Sequence, residues 1–462
     1  MKLLARCAKS GAKCRAFIKK PAKAVWRLRQ PDCSFVPKKR KTNCALLIKF
    51  IPFNMKPFSV GLIGIGGYGA SHLSTLASLQ AAGVCELKAI ADPFAPHHPD
   101  TVAALKTQSV AIYDDAEKLC ARDDIEAVFI ATPIALHAPQ ALMALEAGKH
   151  VYLEKPPCVT LAEHDALSAA LERAQTVCAV GFQQQTGGAV RFVKSELVRG
   201  ALGKVDTIWA SVRWRRADAY YQRASWAGKW RMERQPVFDG PATNALSHVV
   251  QAALFLAGEG HNDAAQLRCV RGALKKARPI ESYDSIYLEA QTTAGVLVRL
   301  ALTHATIEHD AVTIRCAGEN GTYSLGWNGE ARFEPRLASS REYSQGNHDT
   351  PIEYAFPGAP HLTSVMDFFH AIRQPERKPI TTLENTRSYL QMTNGALQSS
   401  GGATEFDAEK VSKNDDEAGG VFTVDGLDAQ FAAFAQNGTA SPSLLAPGDW
   451  MDIENIATDL AV

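Results

Sequence analysis

Phe58-Ser-Val-Gly-Leu-Ile63, followed at once by Gly64-Ile65-Gly66-Gly67-Tyr68-Gly69 and then by Ala70 to Ala82, is the stretch whose reading decides the fold. A short apolar run of this kind reads as a buried strand, and the residues after Gly69 carry a helical period. Between the two, the first glycine permits a tight turn, the second lets a pyrophosphate approach the backbone, and the third allows helix and strand to pack closely. The helix N-terminus then faces the phosphates. A glycine-rich turn alone is weak evidence, but its strand-turn-helix setting makes it a dinucleotide-binding fingerprint, so Gly64, Ile65, Gly66, Gly67, Tyr68 and Gly69 are expected to line a cofactor.

Working outward, the same rhythm continues. Strands are expected at Ser59 to Ile63, Leu87 to Ala91, Val110 to Tyr113, Ala127 to Ala131, Val151 to Leu153 and Val177 to Val180, with helices between them. One helix opens at Thr160-Leu-Ala-Glu163, a capping-box pattern. Six strands alternating with helices imply α/β architecture with a doubly wound parallel sheet over residues 55–183. From residue 184 to 403 the pattern changes to longer strands, among them Val205 to Arg215, Ala265 to Leu274, Ser285 to Gln291, Val296 to Thr303 and Val312 to Ala317, with a hairpin expected at Asn320-Gly321. This half reads as α+β with a mostly antiparallel sheet. The helix Thr363 to Arg373 and the segment Leu383 to Ser399 are expected to return toward the first domain. From Thr404 to the end, 12 acids stand against Lys410 and Lys413, which reads as an acidic extension holding a polar linker and a short amphipathic piece near Leu427 to Phe434.

The overall charge of +2 is unevenly spread: residues 1–54 hold 15 Lys and Arg against Asp32 alone, leaving 35 bases and 47 acids for the remainder. An acidic globular part argues against nucleic-acid binding, because the basic excess sits in one Pro-interrupted arm without amphipathic period. That arm has no continuous apolar stretch of a secretory signal and is poor in Ser for a transit peptide. A true start at Met55 is the simplest account of it, and Lys38-Lys39-Arg40-Lys41 as a polyanion contact is the lesser one. No apolar run reaches 18 residues, so no membrane span is expected. The ten Cys include no Cys-x-x-Cys, so neither metal nor disulfides are expected and a reducing cytoplasm is the simplest setting.

Asp92 ends the second strand 23 residues after Gly69, where a carboxylate accepts the adenosine ribose hydroxyls and repels a 2′-phosphate. With no Arg close behind it, NAD is expected over NADP; capping of the turn before Pro93 is the alternative role. Thr132-Pro133 closes the fourth strand at the carboxyl edge of the sheet, and His137 follows, either facing the cofactor or capping a helix. Glu154-Lys155-Pro156-Pro157 closes the fifth, a charged pair badly placed to extend a sheet and well placed to face a cofactor.

These residues together resemble the Gfo/Idh/MocA oxidoreductases, the family of glucose-fructose oxidoreductase and inositol dehydrogenase. The likeness spans about residues 57–400 and rests above all on Glu154-Lys155-Pro156 after Gly148-Lys149-His150-Val151. It implies that Lys155 lies beside the nicotinamide and hydrogen-bonds the reacting oxygen, and that the molecule is a homo-oligomer whose subunits meet through the open sheet of the second domain.

In the second domain, Gly240-Pro241 leads into Asn244, Ser247, His248 and Gln251, spaced as one polar stripe on an otherwise apolar helix. The alternative is that Asn244 caps the helix and His248 is a half-buried side chain with its hydrogen bonds met. The resembling pattern is Asp-x-x-x-His, whose His serves as general base. Here Asn244 stands where the Asp is usual. An amide orients an imidazole but cannot raise its pKa as a carboxylate does, so proton abstraction by His248 is expected to be a less favourable step. Trp209, Trp214, Trp226, Trp230, Tyr220 and Tyr221 crowd together with Arg213, Arg215, Arg216, Arg223 and Arg231, either as a sugar or sugar-acid pocket or as core and subunit interface.

The expected function is hydride transfer between NAD and a secondary alcohol of a sugar, sugar acid or cyclitol, with Lys155, His248 and Asn244 as the reacting set and a tyrosine such as Tyr283 or a bound water as the base should His248 not serve. An NAD-dependent glycoside-cleaving enzyme using transient oxidation and a non-catalytic NAD-bound regulator are the alternatives.

Overall fold

The computed structural model describes residues 56–336, 352–356, 358–438 and 441–459. The basic arm and the expected start at Met55 lie outside the described residues.

All six expected strands of the first half are present: β1 (Phe58–Ile63), β2 (Cys85–Ala91), β3 (Ala111–Tyr113), β4 (Ala127–Ile130), β5 (His150–Leu153) and β6 (Cys178–Val180). They form one parallel sheet in the order β3-β2-β1-β4-β5-β6. Every residue of β1 and of β4 is buried, as strands covered by helices on both faces require. The strand order reverses between β1 and β4, and a crevice opens at the carboxyl ends of such a pair. The capping box at Thr160 and Glu163 is formed, starting the helix Leu161–Ala174.

The second half is built around β7 (Val205–Arg213), which lies inside a large sheet. On one side follow Thr313–Gly318, Gly321–Gly326, Glu330–Pro335 and Ile352–Ala355; on the other, Leu297–Thr303, Ser285–Thr292, Leu267–Lys276 and Ala403–Glu405. Pairing is antiparallel except between β7 and Leu297–Thr303 and between Leu267–Lys276 and Ala403–Glu405. The turn at Asn320-Gly321 joins two paired strands, as its sequence predicts. Those two strands bury alternate residues, so one face meets the core. Against β7 and Leu297–Thr303 lies the helix Ser247–Leu256, nine of whose ten residues are buried. The helix Pro360–Arg373 does return to the parallel sheet, where Phe369 stacks on Phe58 with ring centroids 4.7 Å apart. Arg387–Ser399 also meets the first domain, where Asn394 Nδ2 donates to the Val159 carbonyl at 3.2 Å, and on its other side packs on the large sheet, where Ser399 Oγ accepts from the Gly272 amide at 2.9 Å.

The chain beyond Thr404 departs from the expectation of a polar linker. It forms a hairpin, Val411–Asp416 with Gly419–Val424, and a helix, Leu427–Asn437, which encloses the expected amphipathic piece. Phe406, Val424, Leu427, Phe431, Phe434 and Leu445 are buried against Trp209, Ala273, Tyr287 and Ala301 of the large sheet. Most of its acids are exposed, so their number masks an apolar face. This layer covers the side of β7 that bears Trp209 and Ser211, the sheet face expected to meet a second subunit: Trp209 Nε1 donates to the Ala435 carbonyl at 3.2 Å and Ser211 Oγ to that of Phe431 at 2.9 Å. Among the described residues no helix is long and apolar enough to cross a membrane.

Candidate functional site

The glycine loop runs from the end of β1 into the helix α1 (Gly69–Ala81). Gly64 has φ +86°, and a Cβ there would meet the Ala131 carbonyl oxygen at 2.6 Å; one on Gly69 would meet the Gly64 carbonyl oxygen at 2.2 Å. These two glycines close the turn onto β4. Beyond Gly67, by contrast, no atom lies within 4 Å of where a Cβ would stand, so the outer backbone of the loop is open to a ligand. A tight inner turn with an open outer face at a helix N-terminus fits a pyrophosphate.

Asp92, at the end of β2, is buried and already engaged: its Oδ2 accepts from the Ile65 amide and its Oδ1 from the Phe94 amide, both at 2.8 Å. The turn-capping role therefore exists, and it fixes the carboxylate against the glycine loop, with lone pairs left for a ribose. Tyr68 stands 43% exposed above the loop, its hydroxyl accepting from Gln183 Nε2 at 3.1 Å.

At the next edge turns, the structure separates side chains that could meet a ligand from those that hold the turns. His137 was expected to line the cofactor. Its ring is buried, with Nδ1 2.6 Å from the Pro156 carbonyl oxygen and Nε2 2.9 Å from that of Thr132, so it ties the turn after β4 to the turn after β5. Thr132 Oγ1 donates to Gln140 Oε1 at 2.6 Å, beside Pro133. Glu154 is likewise inward, its Oε1 2.8 Å from His72 Nε2 of α1 and its Oε2 accepting from the Lys155 amide at 3.2 Å. Burial opposes its ionisation, but the hydrogen bond to His72 and the charge of Lys155 outweigh it and hold its pKa below the ordinary value. Both residues were expected to face the cofactor; in the fold each polar atom of their side chains has an intramolecular partner, which braces the turns after β4 and β5.

Lys155, next after Glu154 and linked to Pro156 by a cis peptide bond, reaches across to the second domain, where its Nζ donates to the Asn244 carbonyl oxygen at 3.1 Å. Burial lowers its pKa, while Glu154 and Asp239 act in the opposite sense. Asn244 was expected to share a helical stripe with His248 and to orient it. The helix begins only at Ser247, and Asn244 lies in the turn before it, with its Nδ2 donating to Asp239 Oδ1 at 2.7 Å. Asp239 is a site residue the sequence motif did not disclose. It is 1% exposed, accepts from the Gly228 amide at 2.7 Å, and lies 3.6 Å from Arg223. Burial raises its pKa against the pull of Arg223. Its one sequence signal is a charged residue directly before Gly240-Pro241 in an apolar stretch.

His248 has edge-on contacts with Phe182 and Trp327, ring centroids 5.7 and 5.9 Å away. Its Nδ1 is buried without a partner, as is Trp327 Nε1. Burial, reinforced by the charge of Lys155, pushes its pKa down to about 3, so the ring is neutral at pH 7. Ser247 and Gln251 of the expected stripe are committed elsewhere, to the carbonyls of Asn244 and Asn385. Tyr283 is buried under Gly240 with its hydroxyl 3.1 Å from Thr243 Oγ1. The aromatic segment continues this wall: Trp327 packs edge-on against Trp214 at 6.1 Å, and Arg216 lies over the rings of Trp214 and Tyr220 at 5.3 and 4.8 Å. The arrangement gathers one lysine, one neutral imidazole and one buried carboxylate at the carboxyl edge of a dinucleotide-type sheet, bounded by aromatic rings.

Comparison with known proteins agrees with this geometry. Residues 58–182 match the Gfo/Idh/MocA family model described as "Oxidoreductase family, NAD-binding Rossmann fold", and residues 190–324 match the Gfo/Idh/MocA C-terminal domain. Among curated relatives, a glycosyl hydrolase family 109 protein of Shewanella putrefaciens is 30% identical over 203 residues, 42% of this chain and 44% of the relative. An alpha-N-acetylgalactosaminidase of Shewanella oneidensis is 29% identical over 199 residues, 41% of this chain and 43% of that protein. The matched stretch thus spans less than half the length of these relatives. Among solved structures, the WlbA dehydrogenase of Bordetella pertussis, in complex with NADH and UDP-GlcNAcA, has a TM-score of 0.60 at 23% identity, covering 74% of this chain and 96% of that one. Levoglucosan dehydrogenase, in complex with NADH and levoglucosan, has a TM-score of 0.62 at 21% identity, covering 75% and 97%. At such identities the structural likeness concerns the fold.

Proposed function

The chain belongs to the Gfo/Idh/MocA oxidoreductases, and from that premise we propose that it is an NAD-dependent enzyme of carbohydrate chemistry, moving a hydride between the cofactor and a secondary alcohol of a sugar-like substrate. The observation that carries this reading is the meeting of Lys155 Nζ with the Asn244 carbonyl, beside Asp239 and His248, at the carboxyl edge of the parallel sheet. The open backbone at Gly67 would hold the pyrophosphate and Asp92 the adenosine ribose, which favours NAD over its 2′-phosphate relative. When bound, a nicotinamide supplies the hydride acceptor or donor. Lys155 would give up its weak contact with the Asn244 carbonyl and donate to the substrate oxygen, stabilising charge that develops there. His248, neutral and with an unpartnered nitrogen, would take the hydroxyl proton. Asn244 acts indirectly: it holds Asp239, which together with Glu154 opposes the lowering of the Lys155 pKa by burial.

The family 109 relatives favour a second reading, in which the same oxidation is transient and serves to cleave a glycoside. Purified protein given NAD and a panel of free sugars, sugar acids and glycosides separates the two: accumulation of NADH identifies net oxidation, and release of the aglycone without NADH identifies cleavage. Lys155→Ala should abolish either activity while NAD still binds. Turnover that survives Lys155→Ala within a few-fold would refute the assignment. A homo-oligomer remains part of the proposal, by a surface other than the covered face of β7, and sedimentation of the purified chain tests it.

A further inference from the structure

We propose that the cleft carries a dedicated anion subsite, formed by Arg216 and His304 with Arg223 at its rim, and that the substrate is a sugar bearing a carboxylate or phosphate; this deepens the functional reading above and rests on it.

The first ground is charge pairing. Three arginines converge near His304, and two of them are answered: Arg278 is paired with Asp218 and packed against Asp284, and Arg223 lies 3.6 Å from Asp239. Arg216 has no carboxylate partner among the described residues. One of its terminal nitrogens donates to the Arg215 carbonyl at 3.0 Å, and its Nε is buried without any partner. A guanidinium held between aromatic rings and lacking a counter-ion costs stability unless something binds it.

His304 supplies the second ground. It is 2% exposed, its Nδ1 lies 3.4 Å from the Tyr221 hydroxyl, and its Nε2 has no partner. The ring of Tyr220, which carries Arg216 and Arg223 at 4.8 and 3.7 Å, lies 5.5 Å from that of His304. Two buried donors-in-waiting thus flank one tyrosine.

Location is the third. Two separate runs of contact join Arg216 to the reacting groups. One passes from His248 through Trp327 and Trp214; the other passes from Lys155 through Asn244, Asp239, Arg223 and Tyr220. Arg216 is thus tied through side-chain contacts both to the wall beside His248 and to the groups that hold Lys155. The floor of the subsite is held from behind by the hairpin near the C-terminus: Ala219 donates to the Ala418 carbonyl and Asp218 accepts from the Gly420 amide, fixing the short helix Asp218–Gln222 that bears Tyr220 and Tyr221.

The test uses the full chain saturated with NAD, and binding is measured by calorimetry for glucose, glucuronate and glucose 6-phosphate. Glucuronate or the phosphate should bind roughly ten- to a hundredfold more tightly than glucose, the worth of a charged hydrogen bond, and whichever does so identifies the anion. Arg216→Gln should erase the preference, and Arg216→Lys should restore part of it. Equal binding of all three by the unmodified protein, or a preference that persists in both Arg216→Gln and His304→Gln, would overturn the subsite while leaving the hydride-transfer reading standing. Preferential binding of an anionic sugar without NADH formation or glycoside cleavage would do the reverse, retaining the subsite and refuting the functional reading.

Discussion

Replacing Asn244 by Asp is the sharpest perturbation of this site, because it puts a second carboxyl where an amide now donates to Asp239 Oδ1 at 2.7 Å. Two unit charges at that separation repel by about 6 kcal/mol at an effective dielectric constant of ~20. This corresponds to roughly four pH units, so the pair should hold one proton at neutral pH and lose it only near pH ~8. Burial already raises the pKa of Asp239, which acts in the same direction. A group whose folded pKa stands above its unfolded value contributes its stability in full below the unfolded value, about 4 for a carboxylate, and loses it as pH rises through the folded one. The deficit of Asn244→Asp relative to the unmodified protein should therefore be smallest near pH 5 and widen by a few kcal/mol toward pH 8.5, with relaxation of the partly exposed residue 244 keeping it under the full repulsion. Thermal melts of both proteins across that range measure it, with Asn244→Ala as the control that removes the hydrogen bond without adding a carboxyl. A deficit that is constant with pH, or that grows in acid, would refute the assigned contact.

Three further outcomes are expected. Because His248 is neutral down to about pH 3, the rate profile of a turned-over substrate should show no ascending limb near pH 6.5, and His248→Ala should lower the rate roughly 10²- to 10⁴-fold at every pH; a limb at 6.5 that vanishes in the variant would contradict the burial of the ring. Asp92→Ala should leave the Ile65 and Phe94 amides unpaired, lowering stability by about 1–3 kcal/mol and narrowing the preference for NAD over NADP, as melts and cofactor titrations will report. Phe431→Ala should cost about 3–5 kcal/mol and shift the fluorescence of Trp209, whereas an unchanged melt would mean that the layer beyond residue 404 contributes little to the fold.

Much of this molecule is legible in its residues alone. The parallel sheet follows from short apolar runs alternating with helical periods, and the glycine loop follows from spacing within six residues, because both are local consequences of backbone sterics and burial. The position of Lys155 at a strand end is local in the same way. Partner identity is not. That Glu154 turns inward to His72, and that His137 is consumed by two carbonyls, depends on how the turns after β4 and β5 stack against α1. A motif that places Asn244 four residues before His248 suggests a shared helical face, yet the turn opened by Gly240-Pro241 delays the helix to Ser247 and hands Asn244 to Asp239. The end of the chain makes the point at greatest range. Its acids describe its outer surface and say nothing of where its apolar residues go; only the tertiary structure brings the helix Leu427–Asn437 onto Trp209, over 200 residues earlier in the chain, because burial of an apolar face selects any complementary surface within reach and local pattern carries no record of which one.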